Sequence, residues 1–228
     1  MKTRLPKSKG DWKTAVAVGA TALIASGGLW WIGDRNKIPV PAYKMLRVID
    51  GDTFETTERQ LIRLSGVNAP ELANCYGQEA KSTLQKLITN KNLYLKVIYR
   101  DGSNRLISHV YTDKGLVATQ LAREGTVYDF GRGLDDPEFD QAVDYAKSHK
   151  IGIFSPKCTQ TINTANPKCA IKGNVRTPDS KLYRFPGCGN YTTTLVQLSL
   201  DDRWFCTEKE AQSAGFSKGS DCFNQSWK

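Results

Sequence analysis

An uncharged stretch from Thr14 to Ile32, preceded by Lys2, Arg4, Lys7, Lys9 and Lys13, constrains this chain more than any other feature. A helix of that length covers roughly 28 Å, close to the hydrocarbon thickness of a bilayer. No polar face interrupts it, which sets it apart from a buried core helix. Basic residues on its N-terminal side predict residues 1–13 in the cytoplasm and everything beyond Gly33 outside, with Trp30 and Trp31 at the outer interface. The run is long for the apolar part of a signal peptide, although Ala25-Ser26-Gly27 offers a small-residue cleavage site. Either form exports the rest of the chain. The expected order is a basic segment (1–13), a transmembrane signal anchor in the lipid bilayer (14–32) and a tether (33–43) extended by Pro39 and Pro41.

Export decides how the cysteines are read. Cys75, Cys158, Cys169, Cys188, Cys206 and Cys222 form an even set, and in an oxidising compartment disulfides are the default. Spacing leaves the connectivity open. No Cys-x-x-Cys pair occurs, and His109 and His149 both precede the cysteine-rich tail, so a structural zinc site is disfavoured.

Beyond the tether, strand-like segments run over 44–49, 53–57 and 60–65, separated by Asp50-Gly51-Asp52 and a turn near Glu58. Residues 78–88 place Ala80, Leu84, Leu87 and Ile88 on one helical face, whereas Leu93, Leu95 and Val97 alternate as in a strand. A further strand is expected over 106–112, then helices over 116–123 and 137–148. This order, β-β-β-α-β-β-α-α, predicts an α+β, mainly β domain over 44–157: a five-stranded OB-type barrel with packed helices. Polar residues 158–168 read as a linker to a small disulfide-rich module over 169–228. In that module, Thr207-Glu208-Lys209-Glu210 has the form of a capping box opening a helix at Glu208.

The formal net charge of +9 suggests a polyanionic partner, but its distribution weakens that inference. Residues 1–13 carry +4 and 158–228 carry +3, while 44–157, with sixteen bases and fifteen acids, is nearly neutral. Function must therefore rest on particular residues. Asp50 and Asp52 flank Gly51, so a tight turn brings two carboxylates toward one point, as an oxygen-ligated cation requires; alone, the tripeptide is more often a plain hairpin turn. Arg63 is a charge inside the apolar Ile62-Arg63-Leu64 and needs a partner or a ligand. Glu71 follows Pro70 in a loop, and Arg105 opens a strand. Arginines beside a carboxylate and a cation suit a phosphodiester.

Together, Val48-Ile49-Asp50-Gly51-Asp52-Thr53-Phe54, Ile62-Arg63-Leu64-Ser65-Gly66-Val67-Asn68-Ala69-Pro70-Glu71, Tyr76-Gly77-Gln78-Glu79-Ala80 and Arg105 resemble the staphylococcal nuclease-like family over about residues 44–156. The resemblance implies hydrolysis of DNA or RNA with Ca2+ as cofactor. It implies Asp52 as a direct metal ligand, Asp50 behind it, and metal positions at Asn68 and Ala69. Glu71 would position or deprotonate the attacking water, and Arg63 and Arg105 would hold the phosphate. Asn68 stands where the family commonly has a second aspartate, and Ala69 where threonine is frequent, so calcium is expected to bind weakly. Asp101-Gly102-Ser103-Asn104 replaces the usual tyrosine and glycine before the arginine. Tyr128 and Phe130 are candidates for base stacking, with core packing the alternative for at least one. The tail, through Cys169-Ala-Ile171-Lys172-Gly173-Asn174, Tyr183-Arg184-Phe185-Pro186-Gly187-Cys188 and Trp204-Phe205-Cys206-Thr207, resembles a small module of bacterial nuclease-like and envelope proteins, with Arg184 where histidine is frequent. The expectation is a membrane-anchored extracytoplasmic nuclease. The rival is an inactive OB-fold protein of the envelope that only binds nucleic acid or another polymer.

Overall fold

The structure is a computed structural model that describes residues 42–131, 134–177 and 179–227. The expected anchor at 14–32 and most of the tether lie outside the described residues. Among the described residues no helix is long and apolar enough to cross a membrane.

The barrel domain comprises β1 (Ala42–Tyr43), β2 (Met45–Val48), β3 (Thr53–Thr56), β4 (Leu61–Leu64), β5 (Val67–Asn68), α1 (Gly77–Ile88), β6 (Leu93–Arg100), β7 (Leu106–Thr112), β8 (Gly115–Leu116), α2 (Val117–Arg123), β9 (Tyr128–Asp129) and α3 (Pro137–Ser148). Its main sheet runs β1-β6-β7-β4-β3-β2, with β8 attached to β7. Because β1 and β2 are separated only by Lys44, the sheet nearly closes on itself, with one bent segment pairing β6 at one end and β3 at the other. All pairs are antiparallel except β4 with β7, where Arg63 is in register with Ile107. The five expected barrel strands correspond to β2, β3, β4, β6 and β7; β1, β5, β8 and β9 are two-residue additions.

Alternation explains the interior. Phe54, Ile62 and Leu64 point inward and are almost fully buried, and Leu84 and Ile88 of α1, Leu121 of α2 and Phe139 of α3 close over them. Asp136 caps α3, accepting from the Glu138 amide at 3.0 Å, with Pro137 inside the first turn.

The tail holds β10 (Thr159–Gln160), β11 (Ile171–Thr177), β12 (Ser180–Arg184), β13 (Val196–Gln197), β14 (Arg203–Phe205), α4 (Glu208–Ser213) and β15 (Ser217–Lys218). Its four-stranded sheet, ordered β14-β11-β12-β15, packs around Ile171, Tyr183, Phe185, Phe205 and Phe216. Thr207 caps α4 through the Glu210 amide at 3.1 Å, and the Glu210 carboxylate reaches back to the Cys206 amide at 2.8 Å, one residue earlier than a standard capping box.

All six cysteines are paired: Cys75–Cys158, Cys169–Cys206 and Cys188–Cys222. The last two staple the tail internally. Cys75–Cys158 joins the loop after Glu71 to the end of the barrel domain, and Leu198 lies across it, donating to the Cys158 carbonyl at 2.8 Å and accepting from the Cys75 amide at 3.2 Å. Within the stretch read as a linker, β10 pairs with β13, and Gln160 accepts from the Trp204 indole at 2.7 Å.

Candidate active site

The site begins at the β2–β3 turn. The Ile49 amide donates to the Thr53 carbonyl at 2.9 Å, and Asp50 accepts from the Asp52 amide at 3.0 Å, an Asx-type closure. Gly51 is needed for contact rather than for its dihedral angles: a Cβ there would sit 2.6 Å from the β-carbons of both Ala69 and Ala80. The turn is pressed against α1 and the Ala69 segment, which keeps both neighbours small.

That packing buries Asp52, which is 2% exposed. Its Oδ1 accepts from Thr53 Oγ1 at 2.8 Å and from Arg63 Nη1; its Oδ2 accepts from the Ala69 amide at 2.9 Å. Burial pushes the carboxyl up to about 6, against the opposing pull of Arg63 and the Ala69 amide. Arg63 projects from the opposite face of β4 to Ile62 and Leu64 and spans two acceptors, since its Nη2 also donates to Asn68 Oδ1 at 2.8 Å. Asn68 is fixed by β5, which pairs it with Tyr128 of β9.

The other expected residues are placed around this core. Glu71 is exposed, and among the described residues its carboxylate has no hydrogen-bond or ion-pair partner. Its loop is shaped by the Asn74 amide donating to the Glu71 carbonyl at 2.9 Å and by Gly77, where a Cβ would come within 2.0 Å of that carbonyl oxygen. Arg105 lies two residues before Ile107, the register partner of Arg63, and so on the same side of the sheet. In this conformation it is held by Asp101, whose Oδ2 accepts from Nε at 2.8 Å and forms an ion pair with Nη2 at 2.8 Å. Asp101 also accepts the Arg105 and Ser103 amides, and these bonds hold its carboxyl below the usual range. Tyr128 packs edge-on against Phe154, and its hydroxyl bonds Ser199 Oγ at 2.6 Å. Phe130 is 63% exposed, so of the two candidate stacking rings it is the one open to solvent.

Sequence reading missed Thr53 as a partner of Asp52, Asp101 as the keeper of Arg105, and Ser199 and Gln197 as supports of Tyr128. The first two carried a usable signal, since Thr53 adjoins Asp52 and Asp101 opens a turn into Arg105. Ser199 carried none.

Carboxylate, amide and carbonyl oxygens from Asp52, Asn68 and Ala69 are the donor chemistry of a hard cation such as Ca2+. Arg63 bridging Asp52 and Asn68 shows that two of these oxygens converge on one positive charge. The donors therefore fit such an ion, on condition that the guanidinium moves aside. The negative charge available is small, and among the described residues no cluster of three or more His, Cys, Asp or Glu is arranged to hold a metal.

Residues 61–156 match the family model described as Staphylococcal nuclease homologue. Over these residues the chain is similar to that family. Arg63, Asn68, Ala69, Glu71 and Arg105 all fall within this segment, and the β2–β3 turn delivers Asp50 and Asp52 from just upstream. The chain is also similar to an "Uncharacterized endonuclease" of Haemophilus influenzae, 27% identical over 116 residues, covering 49% of this chain and 65% of that one. A protein of the same description from Escherichia coli O157:H7 is 28% identical over 116 residues, covering 49% of this chain and 76% of its own length. The "Probable staphylococcal-like nuclease CAN1" of Oryza sativa subsp. japonica is 32% identical over 94 residues, covering 41% of this chain and 28% of that protein. The chain thus spans just under two thirds of the Haemophilus relative and less than a third of the rice one.

Proposed function

We propose that this chain is a nuclease that hydrolyses phosphodiester bonds of DNA or RNA. The observation that carries the reading is the Asp52–Arg63–Asn68 cluster at a buried turn, within and just upstream of the segment similar to nucleases, with an exposed Glu71 on the adjoining loop. Asp52, Asn68 and the Ala69 carbonyl would hold calcium, with Asp50 behind them, and the ion would supply positive charge beside the scissile phosphate.

The chain's own residues account for the rest. Arg63 uses two of its five donors on Asp52 and Asn68, and a phosphate offers the same guanidinium a bidentate partner. Arg105 exchanges Asp101 for phosphate in the same way. Both charges then face the oxygens on which negative charge grows in the transition state. Glu71 accepts a proton from the attacking water as the new P–O bond forms and the leaving P–O bond breaks, and the departing oxygen takes up a proton from solvent to leave as an alcohol. Arg63→Ala, Glu71→Gln and Arg105→Ala are each expected to lower cleavage of a quenched oligonucleotide by about a hundredfold or more with the fold retained. Full activity in the Glu71 variant would sink the mechanism. If strands are bound but never cut, with or without calcium, the chain is instead a binding protein, a reading favoured by Asn68 in place of an acid.

The same proposal places the catalytic domain outside the cytoplasm on a single-pass anchor. Its supports are the basic flank before Thr14–Ile32 and the three disulfides, which belong to an oxidising compartment. Protease added to intact cells should remove an epitope fused after Lys228; protection of the epitope would reverse the orientation.

A further inference from the structure

The sheet of the C-terminal module places one base from each of three neighbouring strands at one cleft. Lys181 of β12 is in register with Val175, and Arg203 of β14 is in register with Gly173, two residues earlier on β11. Both side chains therefore leave the same face. Arg176 joins them because of a bulge: the pairing passes from Val175↔Lys181 to Thr177↔Ser180, so β11 has one residue more than β12, and that residue is Arg176. A bulge re-aims the extra side chain. All three line a cleft of about 450 Å³ whose other walls include Phe216 and Asp201.

Gathering like charges is unfavourable unless something neutralises them. Among the described residues, Arg176, Lys181 and Arg203 have no acidic partner within ion-pair distance. The acid in the cleft, Asp201, accepts from the Asn74 side chain at 3.0 Å. Asn74 belongs to the Glu71 loop and donates its amide to the Glu71 carbonyl. The cleft is thus joined to the loop that carries the proposed proton acceptor.

We propose that this cleft is an accessory subsite for the phosphate backbone of a nucleic-acid strand running on from the Glu71 loop. The assignment rests on the nuclease reading above. Three adjacent strands spread the charges over roughly 10 Å, a distance covered by about three nucleotides of one strand. Phosphates neutralise the cluster, and the two arginines offer forked donors that suit phosphate oxygens. Since the contacts are to backbone, the subsite adds affinity for long strands without reading sequence.

The test uses the full-length chain carrying Arg176→Gln, Lys181→Gln and Arg203→Gln together. Binding of a labelled long single strand is followed by fluorescence anisotropy in chelator across a salt series, and cleavage of the long strand is compared with that of a dinucleotide. The expected result is affinity about tenfold or more weaker at low salt, with the slope of log K against log salt shallower by about 2. KM for the long strand should rise while kcat and dinucleotide cleavage stay unchanged. Arg176→Lys with Arg203→Lys, Lys181 left unchanged, should keep the slope of the unaltered chain. An unchanged slope, or an equal loss on short and long substrates, would overturn the subsite. If the unaltered chain binds strands but cuts none, and the triple variant loses that binding, the subsite stands and the nuclease reading falls. If the unaltered chain binds no strand at all, both fall.

Discussion

Replacing Cys75 and Cys158 together by serine removes the one disulfide that joins the Glu71 loop to the end of the barrel domain. The bond spans a sequence separation of 83 residues. In the chain-entropy account, opening a loop of that size costs about 4 kcal/mol, because the unfolded chain regains the freedom that the cross-link removed. For a protein of this size each 1 kcal/mol moves the melting temperature by roughly 2–4 °C, so the midpoint should fall by about 10 °C. Leu198 still bridges the two positions through its amide and carbonyl, at 2.8 and 3.2 Å, and Asn74 still donates to Asp201 at 3.0 Å, so the Glu71 loop loses its covalent tie and keeps these hydrogen bonds. The double variant is better suited than added reductant, which would open Cys169–Cys206 and Cys188–Cys222 as well. Thermal melts by circular dichroism read the stability, and cleavage at 25 °C, well below the midpoint, reads the loop. A fall of under about 3 °C would refute the entropy argument. An unchanged cleavage rate would show that the disulfide does not position Glu71.

Three further perturbations probe the site and the module. Asn68→Asp puts a second carboxylate beside Arg63 Nη2; a net gain of about 1.4 kcal/mol for the ion would lower the calcium midpoint of cleavage tenfold, and an unmoved midpoint with an intact fold would remove Asn68 from the ligand set. Gly77→Ala drives a methyl group into the Glu71 carbonyl, so it should cost about 2 kcal/mol or more and depress kcat; wild-type melting and turnover would show that the loop yields freely. The Tyr183 phenol, buried and donating to Glu208 Oε2 at 2.5 Å, is pushed up to about 12. It stays protonated in the folded chain while it ionises near its ordinary value in the unfolded one, so stability should fall as pH rises above about 10. Tyr183→Phe should flatten that decline in alkaline melts, and an identical decline in both proteins would assign it elsewhere.

The elements that local chemistry can encode were legible in the sequence. Residues 78–88 showed their apolar stripe, and α1 buries Ala80, Leu84 and Ile88, with Leu87 only partly covered. The two-residue strands were not legible, because two residues carry no period. Their pairing is set by the rest of the barrel: β9 exists because β5 lies beside it. Among site residues, the Asp-Gly-Asp turn and the Asn68–Glu71 run stood out as motifs, but that Arg63 would occupy Asp52 and Asn68 together depends on the β3–β4 register and on the turn after β4. The Ser199 support of Tyr128 links residues 71 apart through the docking of the tail, for which neither residue type gives a local cue.

The way the barrel nearly closes bears on where the chain can be cut. Ala42 and Tyr43 pair with Tyr94 and Leu93, and past Lys44 the same segment turns to pair with β3. A fragment beginning at Lys44 would keep every proposed catalytic residue yet strip the outer edge of β6 of its only partner there among the described residues. That edge continues into Val97, Ile98 and Tyr99, which are 47%, 47% and 57% exposed. An unpaired strand with apolar side chains beside it is a template for joining another molecule edge to edge. A soluble version should therefore start upstream of Ala42, and one trimmed just past Tyr43 should self-associate as its concentration rises.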